Sequence, residues 1–156
     1  MKKKFTGKVW KFGDCLDSGS IKGVMAGVDP EFHTKVQPGD VIVAGSNFGM
    51  GSSAEEAPRS LRDAGIAAVL AESISNIYLR TLINLGLPAI ECPGISTIVK
   101  EGDEVEVDLE SGRVRNLTNG YSRTFPPFSD HAIVILEKGG LIPYLKSSVA
   151  SREEGA

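Results

Sequence analysis

Three short apolar runs constrain the fold of this chain more than anything else in it: Val41 to Ala44, Ile66 to Leu70 and Leu87 to Cys92. Apolar residues at consecutive positions are what a strand needs when both faces of its sheet are covered. The segments between these runs have helical character. The first is a helix reaching about Ala64 and stopping at Gly65. The second, Ser73 to Leu85, repeats Ile74, Ile77, Tyr78, Leu82 and Leu85 before Gly86, a good C-terminal stop. Strand, helix, strand, helix, strand is the rhythm of parallel βαβ units.

The flanks read differently. Phe5 to Phe12 alternates as a strand and ends in a Gly13-Asp14 turn, whereas Cys15 to Lys35 is interrupted by glycines and reads mostly as loop. Val105 to Leu109 alternates strictly with Glu104, Glu106 and Asp108, the pattern of a strand with one wet face. Ser111-Gly112 turns into Val114 to Leu117, and Asn119-Gly120 is a second hairpin signal. His131 to Lys138 reads as a helix stopped by Gly139-Gly140, and a short segment, Leu141 to Leu145, closes the fold. The length of 156 residues is that of one domain. We therefore expect a single α/β domain over residues 1–146 and a flexible polar tail over 147–156.

Composition narrows the function. A net charge of −3 and sparse aromatics, with Lys2 to Lys4 as the only basic run, argue against a nucleic-acid partner. No apolar run approaches the roughly 20 residues that span a bilayer, and Phe5 is followed too soon by Thr6, Gly7 and Lys8 for a signal peptide. Two cysteines, Cys15 and Cys92, without a C-x-x-C pair point to a reducing cytoplasm. An iron–sulfur cluster takes three or four thiolates, which this chain does not contain. No metal site is expected on it, and Cys92, at the end of an apolar run, reads as core.

The segment with chemical content is Gly45-Ser46-Asn47-Phe48-Gly49-Met50-Gly51-Ser52-Ser53. It leaves a buried strand and enters a helix. Glycines allow close approach of backbone to a ligand, and a helix start offers unpaired N–H donors with a partial positive charge. Together these make an anion cradle rimmed by two hydroxyls. Two other readings of the same residues stand beside it. Ser53-Ala54-Glu55-Glu56 fits a capping box, although Pro58 then falls awkwardly past the first turn. Gly49-Met50-Gly51-Ser52-Ser53-Ala54 also fits G-x-G-x-x-A, with Glu72 near the distance of a ribose-binding acid. Its glycines, however, start several residues after the strand, and the chain is short for a dinucleotide fold.

From about Gly7 to Lys146 the chain resembles the small subunit of 3-isopropylmalate dehydratase and homoaconitase, the separate form of the aconitase swivel domain. The resemblance rests on Gly7 to Asp14, Val36 to Ser53, Ile83 to Pro88 and Gly139-Gly140-Leu141, and most specifically on Gly45-x-Asn47-Phe48-Gly49-x-Gly51-Ser52-Ser53. It implies a swivelling β/β/α domain, a small mixed sheet or barrel flanked by helices, paired with a large subunit that carries a [4Fe–4S] cluster. It implies a hydro-lyase that moves water between neighbouring carbons of a hydroxy acid, as in leucine biosynthesis. Ser52 then corresponds to the catalytic base. Ser53, Gly49 and Gly51 correspond to substrate contacts, with Asp17 and Arg80 as further candidates. A helix N-terminus lowers a hydroxyl pKa by roughly 1.5 units at most, too little to hold an alkoxide at neutral pH. Ser52 is therefore expected to be inert until the partner closes over it. A surface built for a partner also pairs with itself when the chain is isolated at high concentration.

The departures from the family pattern fall on substrate positions. Where the family has Arg-Glu-His after the serines, this chain has Ala54-Glu55-Glu56. Where it has Asp-Thr-Asp, this chain has Asp17-Ser18-Gly19. The following loop is cut to Ser20 through Ala26, and Asn76 stands in place of a helix arginine, although Arg80 remains. A charge-assisted hydrogen bond contributes roughly 1.5–3 kcal/mol, so losing two arginines points to a substrate with fewer carboxylates or a different head group. The other accounts are cations supplied by the partner, and a non-catalytic paralogue acting as an assembly or regulatory subunit. Asp14 and Asp17 in turns also read as caps of backbone N–H groups. Cys15 reads as a spectator thiol, His33 and His131 as surface residues, and Trp10 as core.

Overall fold

The structure, a computed structural model, describes residues 3–51 and 56–154. The elements in chain order are β1 (Lys4–Lys11), α1 (Ser18–Met25), α2 (Phe32–Lys35), β2 (Val41–Ala44), α3 (Glu56–Asp63), β3 (Ala68–Ala71) and α4 (Asn76–Asn84). They continue with β4 (Ala89–Glu91), α5 (Ile95–Ile98), β5 (Glu104–Asp108), β6 (Arg113–Asn116), β7 (Ser122–Thr124), α6 (Asp130–Glu137) and α7 (Leu141–Glu154). The strands form one sheet in the order β4-β3-β2-β1-β5-β6-β7, curled into a half-barrel. Strands β1 to β4 run parallel, and β5, β6 and β7 continue antiparallel from the other edge of β1.

The apolar runs do what their composition requires. All four residues of β2 and all four of β3 are buried, because each strand feeds two cores. Ile42, Ala44, Val69 and Ala71 pack with Ile21, Met25, Phe32, Leu61, Tyr78 and Leu82 under α1 to α4. Val41, Val43, Ala68 and Leu70 face Ile95, Ile98, Val105, Val107, Val114 and Leu136 beneath the curled antiparallel half. The first three crossovers step in one direction along the sheet, and crossovers of one hand then place their helices on one face. The other face is closed by the curled antiparallel strands together with α5 and α6. Cys92 is fully buried there, as read from its position.

Two segments differ from the sequence reading. Cys15 to Lys35, expected as mostly loop, contains α1 and α2. Helix α1 is broken at Lys22, Gly23 and Val24, where φ turns positive at the last two. Ile21, Met25 and Phe32 are buried, so tertiary packing holds helical turns that the glycines disfavour locally. Beyond Leu145 the chain stays helical through Glu154, where a polar tail was expected from Ser147. The other expected strands and helices fall within about two or three residues of their expected ends, α5 was not anticipated, and Gly65 and Gly86 sit at φ 86° and 87° as helix stops.

Candidate active site

The C-terminal ends of the parallel strands build the site, the usual place for ligands in such sheets. Residues Gly45 to Gly51 leave β2 there between two other segments. On one side runs Gly13 to Asp17, which comes after β1. Gly45 N donates to Gly13 O at 3.0 Å, Cys15 N to Ser46 O at 2.7 Å, and Gly49 N to Leu16 O at 2.7 Å. Ser46 N donates to Asp14 Oδ1 at 2.7 Å. On the other side runs Ser73 to Ser75, which comes after β3. Asn47 N donates to Ser73 Oγ at 2.9 Å, Phe48 N to Ser73 O at 3.1 Å, and Ser75 N to Phe48 O at 2.9 Å. The amides of 45 through 49 are thus all engaged within the chain. This part of the loop is clamped, and none of its five amides is left to hold an anion.

Local sequence explains the clamp. Phe48 is buried edge-on against Tyr78, with ring centroids 5.9 Å apart, which pins the loop to α4. At Gly49 φ is 79°, and a Cβ there would lie 2.2 Å from Tyr78 Cγ. Only glycine lets the backbone cross the ring at that distance. Met50, just beyond, is 43% exposed and bridges to Asp17.

The candidate site residues separate into three groups. Ser52, Ser53 and Ala54 lie outside the described residues. Gly49 is buried with its amide donated to Leu16, so its role here is the shape of the loop, while Gly51 is exposed at the lip. Asp17 lies beside the loop through its bridge to Met50, but its carboxylate caps α1. Oδ1 accepts from Ser20 N at 2.9 Å and Ser20 Oγ at 3.0 Å, and these bonds, the backbone one foremost, hold the carboxyl below the usual range. Arg80 is exposed on α4, whose first turn comes directly after the clamp, and it makes no ion pair among the described residues. Asn76 is exposed at the start of the same helix.

Glu72, the acid of the dinucleotide reading, is committed elsewhere. It accepts from Gly94 N and from Ser96 N and Oγ at the start of α5. Burial pushes its carboxyl up, but the hydrogen bonds from Ser96 and Gly94 outweigh that and hold it below the ordinary value. A carboxylate spent on three donors is not presented to a ribose. Cys15 and both histidines are exposed, and Trp10 is half-buried with Nε1 donating to Asp40 Oδ2 at 2.7 Å.

Sequence reasoning did not anticipate Ser73 as an acceptor for the loop, nor one ion pair. Lys22 Nζ lies 3.5 Å from Glu56 Oε1, with side chains 61% and 72% exposed. Lys22 belongs to the shortened loop, and Glu56 occupies the position of the family histidine. The pair couples two of the departures across 34 residues, a distance at which no local pattern signals contact.

The thiols do not suit a cluster. Burial, reinforced by the charge of Glu72 and opposed by Arg123, pushes Cys92 up to about 11, which disfavours the thiolate a cluster needs. Among the described residues no three His, Cys, Asp or Glu side chains converge.

A curled mixed sheet whose β2 hands a clamped glycine–serine loop to a helix defines the class of aconitase-type swivelling domains. The aconitase C-terminal domain family matches residues 10–94. The isopropylmalate/citramalate isomerase small subunit of Methanocaldococcus jannaschii is 46% identical over 98% of this chain and all of its own length. The methanogen homoaconitase small subunit of Methanothermobacter thermautotrophicus is 45% identical over 90% of this chain and 91% of its own. The crystal structure of a 3-isopropylmalate dehydratase from Methanocaldococcus jannaschii matches with a TM-score of 0.91 and 34% identity, covering 98% of this chain and 99% of that one. The chain belongs to the aconitase C-terminal domain family, as a small subunit of an aconitase-type hydro-lyase.

Proposed function

We propose that this chain forms a 3-isopropylmalate dehydratase-like enzyme with a large subunit that carries the [4Fe–4S] cluster, and that it works in the cytoplasm on a hydroxy acid poor in carboxylates. The observation that supports this reading is the clamp on residues 45–49, which spends every amide from Gly45 to Gly49 within the chain, so that any ligand contact by this loop falls to the residues beyond Gly49. In the reaction, Ser52 takes a proton from the carbon next to the hydroxyl-bearing one. The C–O bond breaks with its electron pair on oxygen, the hydroxyl leaves as water by taking a proton supplied from the large subunit's side of the site, and water returns to either carbon of the resulting double bond. The Gly51 amide and Ser53 hold a substrate carboxylate during the exchange, with Arg80 as a second cation and Asp17 shaping the near wall. Ala54 removes a bidentate grip, and Glu56 adds a negative charge partly offset by Lys22. Both changes favour a substrate with fewer carboxylates at this wall.

The test is co-expression with a large subunit, followed by dehydration assays on hydroxy acids graded by carboxylate number. We expect turnover that favours the less carboxylated acids and falls by roughly 10²–10⁴ in Ser52→Ala, the range of a lost general base. Full activity in the assembled Ser52→Ala complex removes the base assignment. A complex that forms but turns over nothing in the panel leaves an assembly role.

A further inference from the structure

The clamp has one feature that backbone pairing does not explain. The ladder between β1 and β2 runs on to Phe12 N and Val43 O and then slips by one residue, since Gly45 N donates to Gly13 O where the regular register has Phe12 O. The next backbone bond is Cys15 N to Ser46 O. At the slip Ser46 N takes a side-chain acceptor, Asp14 Oδ1, at 2.7 Å. Two local features are fitted to that bond. Cys15, directly after Asp14, sits at φ 57°, a left-handed conformation that a non-glycine residue keeps only where its surroundings over-determine it. Gly45, directly before Ser46, has no room for a side chain, since a Cβ there would lie 1.8 Å from Asp14 Oδ1.

From this we infer that Asp14 is a positioning residue of the dehydratase: its carboxylate, seated against Gly45, fixes the direction in which the serine-bearing loop leaves the sheet. The inference rests on the loop role proposed above. Asp14 touches no reacting atom in this scheme. It acts through Ser46 and the clamped residues up to Gly49, so its loss disturbs the base and the neighbouring substrate contacts of the same loop together.

The experiment uses the assembled two-subunit enzyme with Asp14→Ala, Asp14→Asn, Gly45→Ala and the Asp14→Ala/Gly45→Ala double variant. It measures kcat, KM, thermal midpoint and hydrogen exchange at the Ser46 amide. Asp14→Ala should lower kcat by at least about tenfold, the loss expected from one charge-assisted hydrogen bond, with faster exchange at Ser46. Asp14→Asn keeps an acceptor oxygen and should retain most of kcat. Gly45→Ala should mimic Asp14→Ala, and the double variant should be no worse than either single one, as for two changes to one contact. If Asp14→Ala does not assemble, Gly45→Ala carries the same test with Asp14 present. Wild-type kcat together with wild-type Ser46 protection in Asp14→Ala overturns the inference. So do additive losses in the double variant, or kcat falling only in step with the thermal midpoint. A wild-type complex inactive on every hydroxy acid defeats the proposed function instead, and Ser46 exchange still reports whether Asp14 holds the loop.

Discussion

The two halves of the sheet solve different problems. In the parallel half, β2 and β3 are buried on both faces, their connections return over one side, and their C-terminal ends must hand the chain to loops. In the antiparallel half, β5 alternates buried and wetter residues, and β6 alternates fully. Its outer face is a ladder of charges in which Lys4 and Glu106 approach to 3.7 Å, and short turns finish it. The first half is costly to perturb and carries the candidate loop. The second acts as a lid over the core. The proposed site lies where the strands have no freedom of their own, because a loop is held accurately only by what flanks it on both sides.

The contrast can be broken most sharply at Gly49. Gly49→Ala places a methyl against a buried ring at a positive φ. It should abolish turnover in the complex and lower stability by about 3 kcal/mol, as strain and overpacking add. Denaturant unfolding of the isolated chain beside an activity assay measures both. Retained activity would mean that the clamp is not needed.

A smaller effect belongs to the seam between the halves, where Cys92 Sγ lies 3.9 Å from Thr124 O at the far edge strand. Its thiol is raised from 9.0 to about 11 in the folded chain. Its contribution is therefore whole below pH 9.0 and is lost as pH rises from there through about 11, because only the unfolded chain ionises freely in that window. Stability should fall across that range in wild type and fall less in Cys92→Ala, when the two pH profiles of unfolding are subtracted. Parallel profiles would mean that the seam admits water. The smallest effect is expected on the outer face of the antiparallel half. Glu106→Ala removes an exposed ion pair and should change stability by no more than about 0.5 kcal/mol, with kcat untouched. A large change there would end the division of labour between the halves.

The sequence by itself determined β2, β3 and β4 with the helices between them, the wet alternation of β5, the helix stops at Gly65 and Gly86, and the family, the last through the Gly45 to Ser53 signature. These are properties of neighbours along the chain, where burial on two faces demands unbroken apolar runs and positive φ demands glycine. Only the tertiary structure decided where the amides of that signature point. Gly49 reads as an anion donor until Leu16 is seen to take its N–H, and Asp14 reads as one turn aspartate among several until Ser46 is found against it. The order of the sheet, with β5 beside β1, was decided in the same way, as were the helical turns between Cys15 and Lys35 and the pairing of Lys22 with Glu56. Each depends on which strands lie side by side, and hydrogen-bond partners far apart in sequence leave no periodicity to read.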